Sequence, residues 1–254
     1  YKKVHDAYTI NLYGSPLFPE EYSKCTVYFV RNPLDVCVSF ANHSACHIEA
    51  KVEQIIDENA EYSAMKGGQL RQILKSWKSH VKSWQLQSSI PVHFVKYEDM
   101  LQNPVDTFGL IVRLLGLEYE EQRLKRAIAN SDFKLLQQME VENGFGEKAQ
   151  ECKSFFWKGK IGNYKDHLTA EQISRIVEYS YDTMKEFGYI DKDGVLTVQT
   201  LSKKVIMATI PLYYFTNKKP RTKKGRNIAI AYKTKNKQQS IQTDGKIQQV
   251  RKHY

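Results

Sequence analysis

The run Thr26-Val27-Tyr28-Phe29-Val30 stops abruptly at Arg31-Asn32-Pro33, and few folds accommodate that junction. Five β-branched and aromatic residues bounded by polar ones read as a buried strand. Pro33 cannot continue the strand, but it suits the first turn of a helix. That helix runs on through Asp35 to Phe40. Arg31 therefore stands where a strand ends and a helix begins. In open α/β sheets ligands bind at that edge, and a guanidinium beside a helix amino end favours an anion.

A second apolar run, Val92 to Val95, follows Pro91. Between the two lies "QLRQILKSWKSHVKSW", in which Leu70, Ile73, Leu74, Trp77, Val81 and Trp84 recur at three- and four-residue spacing, predicting one long helix. Further helices are predicted over Val105 to Leu115, entered by Asn103-Pro104, over Tyr119 to Asn130, and over Ala170 to Phe187. Thr169, with Gln172 three residues on, makes a capping box for the last. Strands alternating with long helices give an α/β fold with a parallel sheet between helical layers.

The net charge of +10 suggests nucleic acid until it is divided along the chain. Residues 195 to 254 carry 14 Lys/Arg and one acid, Asp244, whereas residues 1 to 194 hold 24 Lys/Arg against 27 Asp/Glu, a net of −3. A folded domain over 1–194 and a disordered basic tail over 195–254 are expected, with the tail's charges solvated and no nucleic-acid partner. The apolar run Val205 to Phe215 has eleven residues with Pro211 inside, short of the roughly 20 a membrane span needs. No secretory leader is visible. Cys25, Cys37, Cys46 and Cys152 lack CxxC spacing and read as free thiols of a reducing, cytoplasmic setting. His43 and His47 of "HSACH" would share a helix face, but no second ligand pair joins them, so no metal is expected.

The segment "SFFWKGKIGNYKDHLT", Ser154 to Thr169, sets Gly159 and Gly162 among Lys158, Lys160 and Lys165. Glycine lets the backbone approach an anion while ammonium groups neutralise it. Alone, such a segment is a weak signal and reads first as a plain basic surface loop.

Taken in order, "YFVRNPLDVCVSF", "SWKSHVKSW", "VKYEDM" and "FFWKGKIGNYKDHLT" make the chain resemble the soluble, cytosolic-type sulfotransferase family over about residues 1 to 190, most closely its bacterial domain proteins. The resemblance implies a P-loop NTPase-like three-layer sandwich. It also implies transfer of a sulfuryl group from 3′-phosphoadenosine 5′-phosphosulfate (PAPS) to a hydroxyl or amine of a small-molecule acceptor, without a metal. Arg31 and Ser39 match the family's 3′-phosphate ligands, and a guanidinium fork suits a phosphate. Arg31 paired with Asp35 is the structural alternative. Tyr97 matches the tyrosine beside the adenine. Phe133 of Ser131-Asp132-Phe133 matches an adenine-facing aromatic, or is simply core. Lys158 and Gly159 match the pair that closes over the 3′-phosphate. Lys3-Val4-His5 matches the family's "KTH", implying His5 as general base and Lys3 as a stabiliser of charge on the transferring group; otherwise His5 is a solvated residue near a terminus.

The sequence departs from the family pattern in four places. A "PKSGT"-like phosphosulfate loop and the strand before it are missing and are expected upstream of Tyr1, which makes the chain a fragment. The family's "RKG" reads Trp157-Lys158-Gly159, removing a charged contact worth about 1.5 to 3 kcal/mol. Its "GDWK" reads Gly162-Asn163-Tyr164-Lys165. A homodimer motif is matched only by Lys165, Thr169 and Ala170, with Ser174 where a glutamate is usual. A degenerate, non-catalytic nucleotide-binding or scaffold protein is the alternative reading.

Overall fold

Strand β1, Thr26–Val30, pairs in parallel with a second strand, Val92–Lys96, in a register running from Thr26 opposite Val92 to Val30 opposite Lys96. Between them in sequence come α1 (Pro33–His43), α2 (Ile48–Ile56), β2 (Glu61–Tyr62), β3 (Gln72–Ile73) and α3 (Trp77–Leu86), so Val92–Lys96 is β4. β2 and β3 form a separate antiparallel pair. After β4 the chain is helical: α4 (Tyr97–Gln102), α5 (Pro104–Leu114), α6 (Glu121–Asn130), α7 (Phe133–Asn143) and α8 (Ala170–Glu186). This computed structural model describes residues 1–63, 70–148 and 152–197. The chain divides into two units, Tyr1–Leu212 and Tyr213–Tyr254, and every described residue belongs to the first. Beyond residue 197, the tail expected over 195–254 lies outside the described residues.

The elements start where side chains permit. Pro33 opens α1 and Asn32 caps it, its Oδ1 accepting from Leu34 N at 3.0 Å. Thr169 and Gln172 form a reciprocal capping box at α8. The core is built from β1 and the inward faces of α1, α2, α3 and α8, with Val30, Leu34, Val38, Val52, Val81, Ile176 and Met184 buried together. The parallel sheet lies between helices, as the alternation of runs predicts.

The long helix predicted before Trp84 is a correction. Ser76 caps α3, its Oγ accepting from Ser79 N at 3.1 Å, and Lys75 just before it has φ +57, which ends any earlier helix. Gln72 and Ile73 pair as β3 instead, and Leu70 is left exposed; Gln69 lies outside the described residues. A helix-period pattern of Leu and Ile cannot override a strong N-cap and a left-handed turn. His43 and His47 do not share a helix either. α1 ends at His43, Ala45 turns at φ 47, and His47 is the N-cap of α2. Among the described residues no cluster of three His, Cys, Asp or Glu side chains is placed to hold a metal ion. None of their helices is long and apolar enough to cross a membrane.

Candidate active site

Arg31 leaves the carboxyl end of β1 into a setting already committed to charge. Its guanidinium lies 4.2 Å above the ring of Tyr97, the first residue after β4, and its Nη2 donates to Lys160 O at 2.9 Å. Arg31 Nε is buried with no hydrogen-bond partner. A guanidinium N–H withheld from water in this way is costly unless an acceptor meets it, so this side chain suits an anionic group. Asp35 is only a distant partner, 3.9 Å from Arg31 Nη2. Its carboxylate instead accepts from Gly162 N at 2.8 Å and Tyr164 N at 3.0 Å.

The turn carrying Arg31 is tied from below by Glu98 of α4, which is buried. Its Oε1 accepts from Asn32 N at 3.1 Å and its Oε2 from Tyr189 OH at 3.0 Å. Burial raises the Glu98 pKa above its usual value, with the amide of Asn32 opposing it. Burial likewise raises Tyr97, against the pull of Arg31. Lys96 is buried and donates to Phe187 O at 2.6 Å.

Residues 152–165 close the other side. Gly159 adopts φ +59, and a Cβ there would sit 2.7 Å from ring carbons of Phe133, so the ring of Phe133 and the bare backbone of Gly159 are in direct apposition. Lys158 Nζ stands 2.8 Å from His167 Nε2 and 4.7 Å from the centroid of the Trp157 ring, whereas Lys160 is exposed. Ser39 is exposed on α1, one turn beyond Asp35 and three residues before Asn42, whose Nδ2 donates to Ser154 O at 3.0 Å. It therefore lies on the face of α1 turned to the same loop. Arg31, Tyr97, Phe133, Lys158 and Gly159 are joined through these contacts into one neighbourhood.

The amino-terminal segment is anchored rather than frayed. His80 Nε2 lies 3.0 Å from His5 O, Trp84 Nε1 donates to Asp6 O at 3.1 Å, and Tyr8 N donates to Ser83 Oγ at 2.9 Å, so one face of α3 carries His5 to Tyr8. A carbonyl only accepts, so His80 carries its proton on Nε2, and Nδ1 accepts from Tyr28 OH at 2.7 Å. His5 itself is exposed. Desolvation, then Lys3, lower its pKa, with Glu147 and Asp6 opposing. Lys3 is engaged in an ion pair with Glu147.

Glu98, His80 and two residues of α7, Gln137 and Glu140, which hydrogen-bond the backbone of residues 155 to 157, organise this region and escaped the sequence reading. Glu98 had a local signal, an acid in the first helical turn after an apolar strand. The others had none, because their partners are far away in sequence.

A half-buried arginine, an aromatic ring beneath its guanidinium and a lysine–glycine loop meet at the carboxyl edge of a parallel sheet, the edge at which open α/β folds place their ligands. The model of the sulfotransferase domain matches residues 17–188, and the chain belongs to that family. Lys3 and His5 precede the matched span. Relatives include an amine sulfotransferase of Oryctolagus cuniculus, 25% identical over 169 residues (63% of this chain, 54% of that protein), and a flavonol 3-sulfotransferase of Flaveria bidentis, 28% identical over 165 residues (59% and 51%). The chain spans about half the length of the curated relatives it matches. Among solved structures, mouse sulfotransferase SULT7A1 complexed with PAP superposes with a TM-score of 0.53 at 20% identity, covering 69% of this chain and 63% of that one. Retinol dehydratase in complex with androsterone and inactive cofactor PAP gives 0.53 at 22%, covering 72% and 54%. These two likenesses establish the shared fold.

Proposed function

We propose that this chain belongs to a PAPS-dependent sulfotransferase that moves a sulfuryl group to a hydroxyl or amine of a small molecule, and that it carries the 3′-phosphate site. The observation that carries the reading is Arg31, held over Tyr97 at the strand edge with a buried, unpartnered Nε. PAPS supplies the sulfuryl group and leaves as adenosine 3′,5′-bisphosphate. Arg31 and Ser39 receive the 3′-phosphate, helped by the backbone at Gly159 and the charge of Lys158. Tyr97 and Phe133 flank the adenine. His5 takes the acceptor's proton as the new oxygen–sulfur or nitrogen–sulfur bond forms and the bond from sulfur to the bridging phosphate oxygen breaks. Lys3, when released from Glu147, offsets charge on the transferring group.

Titration calorimetry of adenosine 3′,5′-bisphosphate tests the binding half. Arg31→Ala is expected to lower affinity about tenfold to a hundredfold, the equivalent of one charged hydrogen-bonding group; equal binding by both proteins would sink the assignment. In protein that shows turnover, His5→Ala is expected to abolish it and leave nucleotide affinity nearly unchanged. The lowered His5 pKa keeps the ring neutral to lower pH, so the acid limb of kcat should have its midpoint below the usual 6.5. An acid limb unchanged by removing His5 would assign the base elsewhere.

A further inference from the structure

Resting on the reading above, we propose that Glu140, with Gln137, is a positioning residue for the 3′-phosphate site, holding the loop of Lys158 and Gly159 in its binding conformation. Glu140 lies on α7, is only 7% exposed, and its hydrogen bonds go to Ser154, Phe155 and Phe156, none of them assigned to the nucleotide. Its Oε1 accepts from Phe155 N at 2.7 Å, and its Oε2 accepts from Phe156 N at 2.9 Å and Ser154 Oγ at 3.3 Å. Lys148 Nζ is 3.7 Å away. Burial works against the charge, yet the two amides together with Ser154 and Lys148 outweigh it and leave the Glu140 pKa below its usual value.

Three residues earlier on α7, Gln137 Nε2 donates to Phe156 O at 2.7 Å and Trp157 O at 3.0 Å. Four residues earlier again, Phe133 packs on Gly159. Spacings of four and three put the three side chains on one face of the helix, so α7 lies along the loop and fixes its register from residue 154 to 159. Past the lysines, Asp35 takes the amides of Gly162 and Tyr164. Lys158, Gly159 and Lys160 are thus suspended between two carboxylates, each bound to a pair of backbone N–H groups.

A carboxylate close to an anion site opposes binding through space. Glu140 is tolerated because its charge is spent on the backbone, and what it contributes is a loop already shaped before the phosphate arrives. Direct electrostatics would make Glu140 unfavourable to nucleotide, whereas positioning makes it favourable, so the two accounts differ in sign.

The test compares adenosine 3′,5′-bisphosphate with adenosine 5′-monophosphate, which lacks the 3′-phosphate, by titration calorimetry on the whole chain. Glu140→Ala is expected to weaken the bisphosphate about tenfold, while the monophosphate changes less than twofold. Gln137→Ala should shift the same ratio in the same direction by a smaller factor. It serves as the test if Glu140→Ala does not fold, as judged by circular dichroism. Equal losses for both nucleotides, unchanged affinities, or tighter bisphosphate binding in variants that fold would overturn the inference. Wild-type protein that binds neither nucleotide would refute the site reading itself, whereas wild type that binds with the variants unchanged would refute the positioning role alone.

Discussion

The turn from β1 into α1 and the loop from Cys152 to Lys165 meet at Arg31, yet they are held by opposite means. The turn is fixed largely by its neighbours: Pro33 sets the first helical φ, Asn32 caps the helix with its own side chain, and Leu34 plugs the core next to Val30. The loop has no regular structure before its single 3-10 turn at Asn163–Asp166 and depends on side chains far away in sequence: Asp35 at one end, Gln137 and Glu140 at the other. A segment held locally keeps its shape while the helix lasts. One held by distant partners fails when any anchor is lost.

The largest expected effect breaks the loop alone. Asp35→Ala leaves two N–H groups, at Gly162 and Tyr164, without their buried acceptor, a loss of about 3 kcal/mol at roughly 1 to 3 each. Chemical denaturation measures it, and a loss below 1 kcal/mol would mean that water replaces the carboxylate. Gly159→Ala comes next at about 2 kcal/mol, since φ +59 and the Phe133 ring both resist a methyl group. Nucleotide affinity should fall with it, and a Phe133→Ala background should recover part of the stability.

A smaller, signed effect separates the two regions by pH. Glu98, under the turn, has a raised pKa, so the folded state holds its proton longer than the unfolded one; stability falls as pH rises from about 4.5 toward the folded value. Glu140, under the loop, has a lowered pKa. Its contribution is present above about 4.5 and is lost as pH falls through the folded value. Stability measured from pH 3 to 7 should therefore give slopes of opposite sign, one removed by Glu98→Gln and the other by Glu140→Gln. Slopes of the same sign would dissolve the contrast.

How much was legible in the sequence follows the same division. β1 matches its predicted span of Thr26 to Val30, and α8 starts at the Thr169 capping box, because both signals lie within a few residues of what they specify. The helix predicted before Trp84 fails in its first half. There the period-3.6 pattern of Leu70, Ile73 and Leu74 competes with pairing to Glu61 and Tyr62 and with the amides of Leu74 and Lys75, both bonded to Ala60 O. α2, α4 and α7 went unread. For α7 the start signal existed in Asp132, whose carboxylate accepts from Lys134 N at 3.0 Å, but the reading there stopped at the Phe133 ring.

By itself the sequence determined the strand edge that presents Arg31, the glycine and lysine content of the loop, and membership of a family that transfers sulfuryl groups. Local sterics and recurring motifs are written in consecutive residues. Only the tertiary structure decided that Asp35 serves the loop more than Arg31, that Glu140 and Gln137 hold the backbone beside Lys158, and that His80 with Tyr28 fastens His5 to the sheet. Those partners are separated by 15 to 129 residues, and a buried N–H takes whichever acceptor the fold brings within reach.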